Sequence, residues 1–344
     1  MLEQIINRFP GVSCAYTDEN GKVATVFYGV SDREKNILVN ENTIFPSCSV
    51  SKFVTAICLM KLHEENVIDI DAPVNEFLQQ WKLLTIDGKE SDATIKSIMC
   101  HTAGIVDGED AFYGLRRGDA KISLMDILQG KSFYNNRIVR TEKLMETEFE
   151  YSDAGYCVLQ LLVQERTGKS FEDSLKEIVF DKLNLENTFF ASCENLTRYE
   201  ACKEMATGYD GENLPIVGRF PVCPDLAGAG LWSTPKELLK IAQEFVAAFN
   251  AKSEFLHENS AKTMANPVEK FSWTGLGVFI AGEDKLMSQG WGENGQCMMK
   301  INCRTGAISV VMTNRNPEVD QAESGVEWLV NRNFVGENKG YGKN

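Results

Sequence analysis

Apolar and polar positions alternate at both ends of this chain and recur at helical spacing between them. In "VSCAYTDENGKVATVFYG" two alternating runs, 12–16 and 23–29, flank the turn "DENG", which predicts a β-hairpin. From residue 50 to about 65, Phe53, Ile57 and Met60 mark one helical face, and Val54, Ala56 and Leu59 widen it until few polar positions remain. Such a helix belongs inside the protein. Further helices are predicted over 94–100, 123–130, 153–167 and 171–183, the third closed by Gly168 and the fourth begun by Ser170. In "STPKELLKIAQEF" Thr234 is the N-cap, Pro235 takes the first helical position and Glu237 closes a capping box. Strand patterns return over 276–281, 285–290, 296–302 and 307–313, with "CRTG" as a turn, and a last helix is predicted over 321–330.

Strands at both ends with helices between predict an α/β chain of the α+β type, with one antiparallel sheet built from both termini and flanked by helices. Residues 1–344 then form a single unit, with 1–60 and 230–344 in a sheet-containing lobe and 61–229 as an inserted, mainly helical lobe. The composition, 43% hydrophobic and 24% charged, is that of an ordered globular protein. Asp and Glu outnumber Lys and Arg by 49 to 35, and the resulting charge of -14 argues against nucleic acid as a partner. No apolar run approaches the roughly 18 residues of a membrane span, and the start "MLEQIINRFPGVSC" lacks a basic, then apolar leader, so the sequence reads as cytosolic unless a leader has been trimmed. Ten scattered cysteines, with no C-x-x-C pair, read as reduced core residues. The three histidines, His63, His101 and His257, are too far apart to suggest a metal site, and no cofactor is expected.

Candidate chemistry enters with "TIFPSCSVSKFVTAICLMKL". Residues three apart share a helix face, so Ser49 at the helix start and Lys52 one turn on can meet. An amine in apolar surroundings, near the positive end of a helix dipole, loses its proton more easily than free lysine, and a neutral Lys52 would accept the Ser49 proton. The backbone N–H of Ser49 would serve an oxyanion. S-x-x-K alone is weak, expected about once by chance in such a chain, and a second example, Ser233 to Lys236, is explained by the helix cap. In "FEYSDAGYCVLQLL", Tyr151 stands just before a buried helix, where a phenol near a cation can act as base and then as proton donor.

Together with "DIDAPVNEFL", "ATIKSIMCHTAGI", "FDKLNLENTFF" and "AGAGLWSTPKELLKIA", these stretches resemble the serine β-lactamase and penicillin-binding-protein superfamily, in the branch of class C β-lactamases, D-alanyl-D-alanine carboxypeptidases and esterase relatives. The resemblance runs in order over residues 10–315 and implies the β-lactamase/transpeptidase-like fold. It implies Ser49 as acylated nucleophile, Lys52 as its activating amine, and Tyr151-Ser152-Asp153 in place of the family's Y-x-N. Asp153 replaces an amide donor by an acid, which leaves contact with Lys52 open but weakens contact with a substrate carbonyl. In place of K-T-G or H-x-G, "LMSQGWGENGQC" offers Ser288-Gln289-Gly290 or, one register on, Gln289-Gly290-Trp291, so the second oxyanion N–H falls to Trp291 or Gly292. Neither register carries a cation. The formal G-x-G-x-x-G from Gly290 to Gly295 precedes a strand pattern, not a helix, and is no nucleotide loop. His101 reads as a turn residue at a helix end.

The expected function is therefore a serine hydrolase that forms an acyl-enzyme at Ser49 on a small ester, amide or β-lactam. An esterase is favoured, because the missing cation argues against the carboxylates of penicillins and D-alanyl peptides. A β-lactamase or D-alanyl-D-alanine peptidase is the alternative within that class, and a ligand-binding or sensing module that has lost turnover is the alternative outside it. Either Lys52 or Tyr151 can be the principal base.

Overall fold

The computed structural model describes residues 2–17, 21–113, 121–192, 202 and 204–332. Its strands are β1 (Gly11–Thr17), β2 (Val23–Asp32), β3 (Ile37–Leu38), β4 (Phe45–Pro46), β5 (Leu84–Thr85), β6 (Arg140–Thr141), β7 (Phe189–Phe190), β8 (Leu231–Ser233), β9 (Phe279–Ile280), β10 (Lys285–Gly292), β11 (Gly295–Asn302) and β12 (Ile308–Thr313). The α-helices are α1 (Leu2–Ile6), α2 (Ser51–Glu64), α3 (Ile95–Met99), α4 (Leu124–Leu128), α5 (Asp153–Thr167), α6 (Phe171–Leu175), α7 (Leu226–Ala229), α8 (Pro235–Phe249), α9 (Glu258–Ala265), α10 (Gln321–Ser324) and α11 (Val326–Asn331).

The main sheet has the order β3-β2-β1-β12-β11-β10-β9, so the first and last parts of the chain meet at β1 and β12, with Val12 opposite Thr313. All of its pairings are antiparallel, as the end-to-end alternation predicts. β1 is buried along its whole length because both faces are covered. Val12, Cys14 and Tyr16 join Ile5, Val326 and Leu329 on one face, while Ala15 faces the larger core on the other. That larger core takes the stripe Leu238, Leu239, Ile241, Ala242 and Phe245 of α8, each large side chain contributing about 1.5–3 kcal/mol by burial. α2 lies deep in the same core, with every residue from Ser51 to Met60 buried.

Four sequence expectations need correction. The segment 171–183 is not one α-helix: α6 passes into a π-turn, Lys176–Phe180, where Asp181 N–H reaches back to Lys176 O. The last helix is broken at Gly325, whose φ of +92° allows the chain to pass where a Cβ would lie 2.7 Å from Ile5. Strand pairing within 276–281 is confined to β9, because Gly277 turns at φ +69° against the α2 backbone. Thr234 caps α8 by accepting from Glu237 N–H at 3.2 Å, but Glu237 does not return the bond; its carboxylate takes the N–H groups of Glu186 and Asn187 and the Thr188 hydroxyl instead. Part of the "DENG" turn lies outside the described residues. A small sheet, β4-β8-β7, has strands too short to show a period in the sequence.

Candidate active site

Ser49 sits in a single 3₁₀ turn, Cys48–Val50, between β4 and α2. The turn is clamped from two sides. Ser47 N–H donates to Leu231 O at 2.8 Å, and the Ser51 hydroxyl joins Cys48 O to Leu231 N–H, which ties it to β8. On the other side run Gly290 and Gly292 of β10: a Cβ on the first would lie 3.2 Å from Ser49 N, and one on the second 2.8 Å from Cys48 Sγ. Only glycine lets this strand pass so close. Cys48 itself holds φ +48°, a left-handed conformation rare for a side chain of this kind, next to the half-buried Ser49.

One helical turn on, the Lys52 ammonium is 2% exposed and donates to Ser49 Oγ at 3.3 Å, Gly228 O at 3.0 Å and Asp153 Oδ1 at 2.5 Å. Three acceptors match the three protons of a charged amine. Burial is the largest influence on this group and favours the neutral form, but the charges of Asp153 and Tyr151 and their hydrogen bonds together outweigh it and hold Lys52 above the ordinary lysine range. The expectation of a neutral amine is thus corrected: burial and a contact with Asp153 were foreseen, but not that the Asp153 charge would outweigh burial.

Tyr151 lies immediately ahead of α5, the residue 38% exposed while its hydroxyl interacts with Lys52 and Ser49. Its ring is centred 4.7 Å from Lys52 Nζ. Burial pushes the phenol up, the Lys52 charge pulls it back in part, and Asp153 pushes it up again. His101 is the turn residue expected, at φ +63°, and it also stacks on Tyr151 with centroids 4.4 Å apart. Its Nδ1 accepts from Ser152 N–H at 3.1 Å, so one buried imidazole sets both the ring and the backbone of the tyrosine segment. Burial, then the Lys52 charge, hold His101 well below the usual histidine range, and it is neutral.

Asp153 begins α5, and Ser152 caps the helix by accepting from Gly155 N–H at 3.0 Å. Asp107 completes the cap: it accepts from Ser152 Oγ at 2.6 Å, Asp153 N–H at 2.7 Å and Ala154 N–H at 3.1 Å. Burial and the Asp153 charge push the Asp107 carboxyl up to about 6 in spite of these bonds. A third acid, Asp225, precedes α7 and accepts from the Tyr134 hydroxyl at 2.5 Å. Its segment is fixed by Thr55, which donates to Ala227 O, and by Gln160, which accepts from Ala227 N–H and donates to Pro224 O.

Ser49, Lys52, Tyr151 and Asp153 therefore converge, as the sequence reading grouped them. On β10, Ser288 is buried and shares a narrow cleft with Ser49, Lys52, His101 and Tyr151, whereas the Gln289 side chain is exposed at the rim and donates to Met287 Sδ at 3.3 Å. Trp291 and Gly292 line a second cleft of about 180 Å³ that also reaches Ser49, Asp153 and Asp225. Ser233 and Lys236 are not part of either cleft. Asp107 and Asp225 were missed: each stands in an irregular segment, and only tertiary contact brings them to α5. Gly290 to Gly295 span the β10–β11 hairpin, which has no helix for a phosphate to cap. Among the described residues, no group of three His, Cys, Asp or Glu side chains is placed to hold a metal ion, and no helix is long and apolar enough to cross a membrane.

A family model described as Beta-lactamase matches residues 2–331. Teichoic acid D-alanine hydrolase of Staphylococcus aureus is 27% identical over 251 residues, 71% of this chain and 57% of that protein. The chain thus spans little more than half the length of that relative. Among solved structures, D-amino acid amidase from Ochrobactrum anthropi SV3 superposes with a TM-score of 0.75 at 18% identity, covering 95% of this chain and 93% of that one. EstCE1, a hydrolase with promiscuous acyltransferase activity, gives 0.75 at 19% identity over 94% of each chain. The fold is shared throughout.

Proposed function

We propose, from the premise that this chain belongs to the Beta-lactamase family, that it is a serine hydrolase acting on small esters or amides through an acyl-enzyme at Ser49. The observation that carries this reading is the buried Lys52 ammonium, shared between Ser49 Oγ and Asp153 Oδ1. The relatives named as an alanine hydrolase, an amidase and an esterase are in keeping with it.

The proton steps balance within the cluster. As Ser49 Oγ bonds to the substrate carbonyl carbon, its proton passes to Lys52 while one of the Lys52 protons passes to Asp153. The charge that leaves the ion pair reappears on the carbonyl oxygen. That oxyanion is held by the N–H of Ser49 and, in the register where Gly290 is the close-approach glycine, by the N–H of Trp291. Collapse expels the alkoxide or amine, which takes a proton from the Tyr151 phenol; Asp153 returns its proton through Lys52 to Tyr151. Water then attacks the acyl-enzyme by the same route in reverse. Asp153 is thus the proton sink that an asparagine in its place could not be. The uncharged Ser288 and Gln289 favour esters or amides over substrates bearing a carboxylate.

A fluorophosphonate probe should add one phosphonyl group to the peptide containing Ser49 and none to the Ser49→Ala protein. An intact, folded protein that takes no label there contradicts the proposal, and substrate binding without turnover supports a sensing module in its place.

A further inference from the structure

One group in the larger cleft has no part in those steps. Asp225 is 1% exposed, its Oδ1 is taken by Tyr134, and its Oδ2, also shielded from water, has no hydrogen-bond partner. An acceptor buried in that state is costly, and native structures rarely keep one without a reason. Asp225 lines the cleft together with Ser49, Asp153 and Glu293, and among the described residues no Lys, Arg or His lines it. The charge of Lys52 is already answered by Asp153. Gly228 keeps the space between the acids open: a Cβ there would lie 3.0 Å from Asp153 Oδ1 and 3.2 Å from Asp225 Oδ2. Asn294, 3% exposed, lines the same cleft and its Nδ2 is a buried donor with no partner.

An unanswered acceptor and an unanswered donor beside one nucleophile call for a ligand that offers both complements. We propose that this cleft seats the free ammonium group of the substrate, with Asp225 as its receptor and Asn294 as a donor to a neighbouring oxygen, so that the preferred substrates are aminoacyl esters or amides. The inference rests on the acyl-enzyme reading and narrows it. About 180 Å³, below the ~300 Å³ at which drug-sized pockets begin, admits a small acyl group. Phe112, Trp232 and Trp291 supply the apolar wall for its side chain. Burial, then the Asp153 charge, push the Asp225 carboxyl up to about 8. An entering cation reverses the second influence, and the displaced proton leaves to solvent.

The test compares alanine methyl ester, as both enantiomers, with N-acetylalanine methyl ester, which keeps the shape but loses the charge. The wild-type kcat/KM for the better alanine enantiomer should exceed that for the acetylated ester at least tenfold, and Asp225→Asn should reduce the ratio at least tenfold. A wild-type ratio of one or less overturns the proposal, as does an Asp225→Asn variant that loses both substrates equally, which would make Asp225 a positioning residue for Lys52. If the wild type hydrolyses neither ester, the serine-hydrolase reading fails by itself. Titration of alaninamide and N-acetylalaninamide into the Ser49→Ala protein still tests the ammonium seat: saturable binding of the first and not the second is expected, and equal binding overturns the seat. The wild-type ratio and this titration decide the matter even where Asp225→Asn does not fold.

Discussion

Ser49–Lys52 and Ser233–Lys236 share one spacing and have opposite surroundings. In the first pair the serine stands on a turn that leads into the buried helix α2, and the lysine, in the first turn of that helix, reaches Ser49, Gly228 and Asp153 with 3% of its side chain exposed. In the second, Ser233 ends β8 ahead of the cap residue Thr234 and bonds to Thr188 at 2.7 Å, while Lys236 is 57% exposed and meets Glu41 at 3.4 Å. The spacing gives neither pair its chemistry. What separates them is Asp153, a half-buried acid delivered by α5 against a buried lysine, which no pattern around Ser49 announces.

The largest effect that can break this comparison is on turnover. Lys52→Met should lower kcat by roughly 10³-fold or more, since it removes a member of a unit that acts together, whereas Lys236→Met should leave kcat/KM within about twofold and stability within about 0.5 kcal/mol. Steady-state hydrolysis of a short ester reads both. A comparable loss in Lys236→Met, or a Lys52→Met protein that retains most of its turnover, would dissolve the distinction.

A second test asks whether the acids around Lys52, which have no counterpart around Lys236, behave as one cluster. Asp225 faces Asp153, Lys52, Tyr134 and the thiols of Cys157 and Cys223. Its folded carboxyl is pushed up from 3.8 to about 8, by burial first and Asp153 second. The folded protein therefore holds a proton that the unfolded chain has released, and the stability this proton contributes is complete below pH 3.8 and is lost as pH rises through about 8. Asp225→Asn keeps an acceptor for Tyr134 and removes the loss. Its Tm relative to wild type should rise by about 5 °C or more between pH 5 and 8 and then level off. A difference that does not vary with pH in thermal melts would show that Asp225 titrates normally.

The sheet was legible because its strands carry an alternation that survives tertiary context: Val12, Cys14 and Tyr16 face one side and Ala15 the other. The break at Gly325 was not, since it answers a contact with the distant Ile5, and neither was the π-turn after α6, which apolar periodicity does not distinguish from α-helix. The same limit governs the site. Ser49, Lys52, Tyr151 and Asp153 each stand at the start of a capped or buried helix, where local sequence is informative. Asp107, Asp225 and the stacking face of His101 become meaningful only when α5 is brought against α2 and α7, and it is the Asp153 and Tyr151 charges that the same docking places beside Lys52 that reverse its expected state.

The smallest effect sharpens the comparison from its other side. If the second S-x-x-K is only the entrance to α8, its energetic centre is Thr234, whose hydroxyl accepts from Glu237 N–H at 3.2 Å, and not the lysine. Thr234→Ala removes the side-chain acceptor of that N–H and leaves it only the backbone carbonyl of residue 234 at 3.1 Å, and the helix it caps presents Leu238, Leu239, Ile241 and Phe245 to the core beneath the sheet. The cost should be about 1 kcal/mol, read as a fall in the midpoint of urea unfolding with an unchanged slope. The kcat of the folded variant should stay within about twofold of wild type, because a cap acts on the population of folded protein and leaves the geometry of Ser49 alone. Should kcat fall with stability intact, α8 would have to reach the nucleophile turn through β8, and the Ser233 stretch could no longer be set aside as structure.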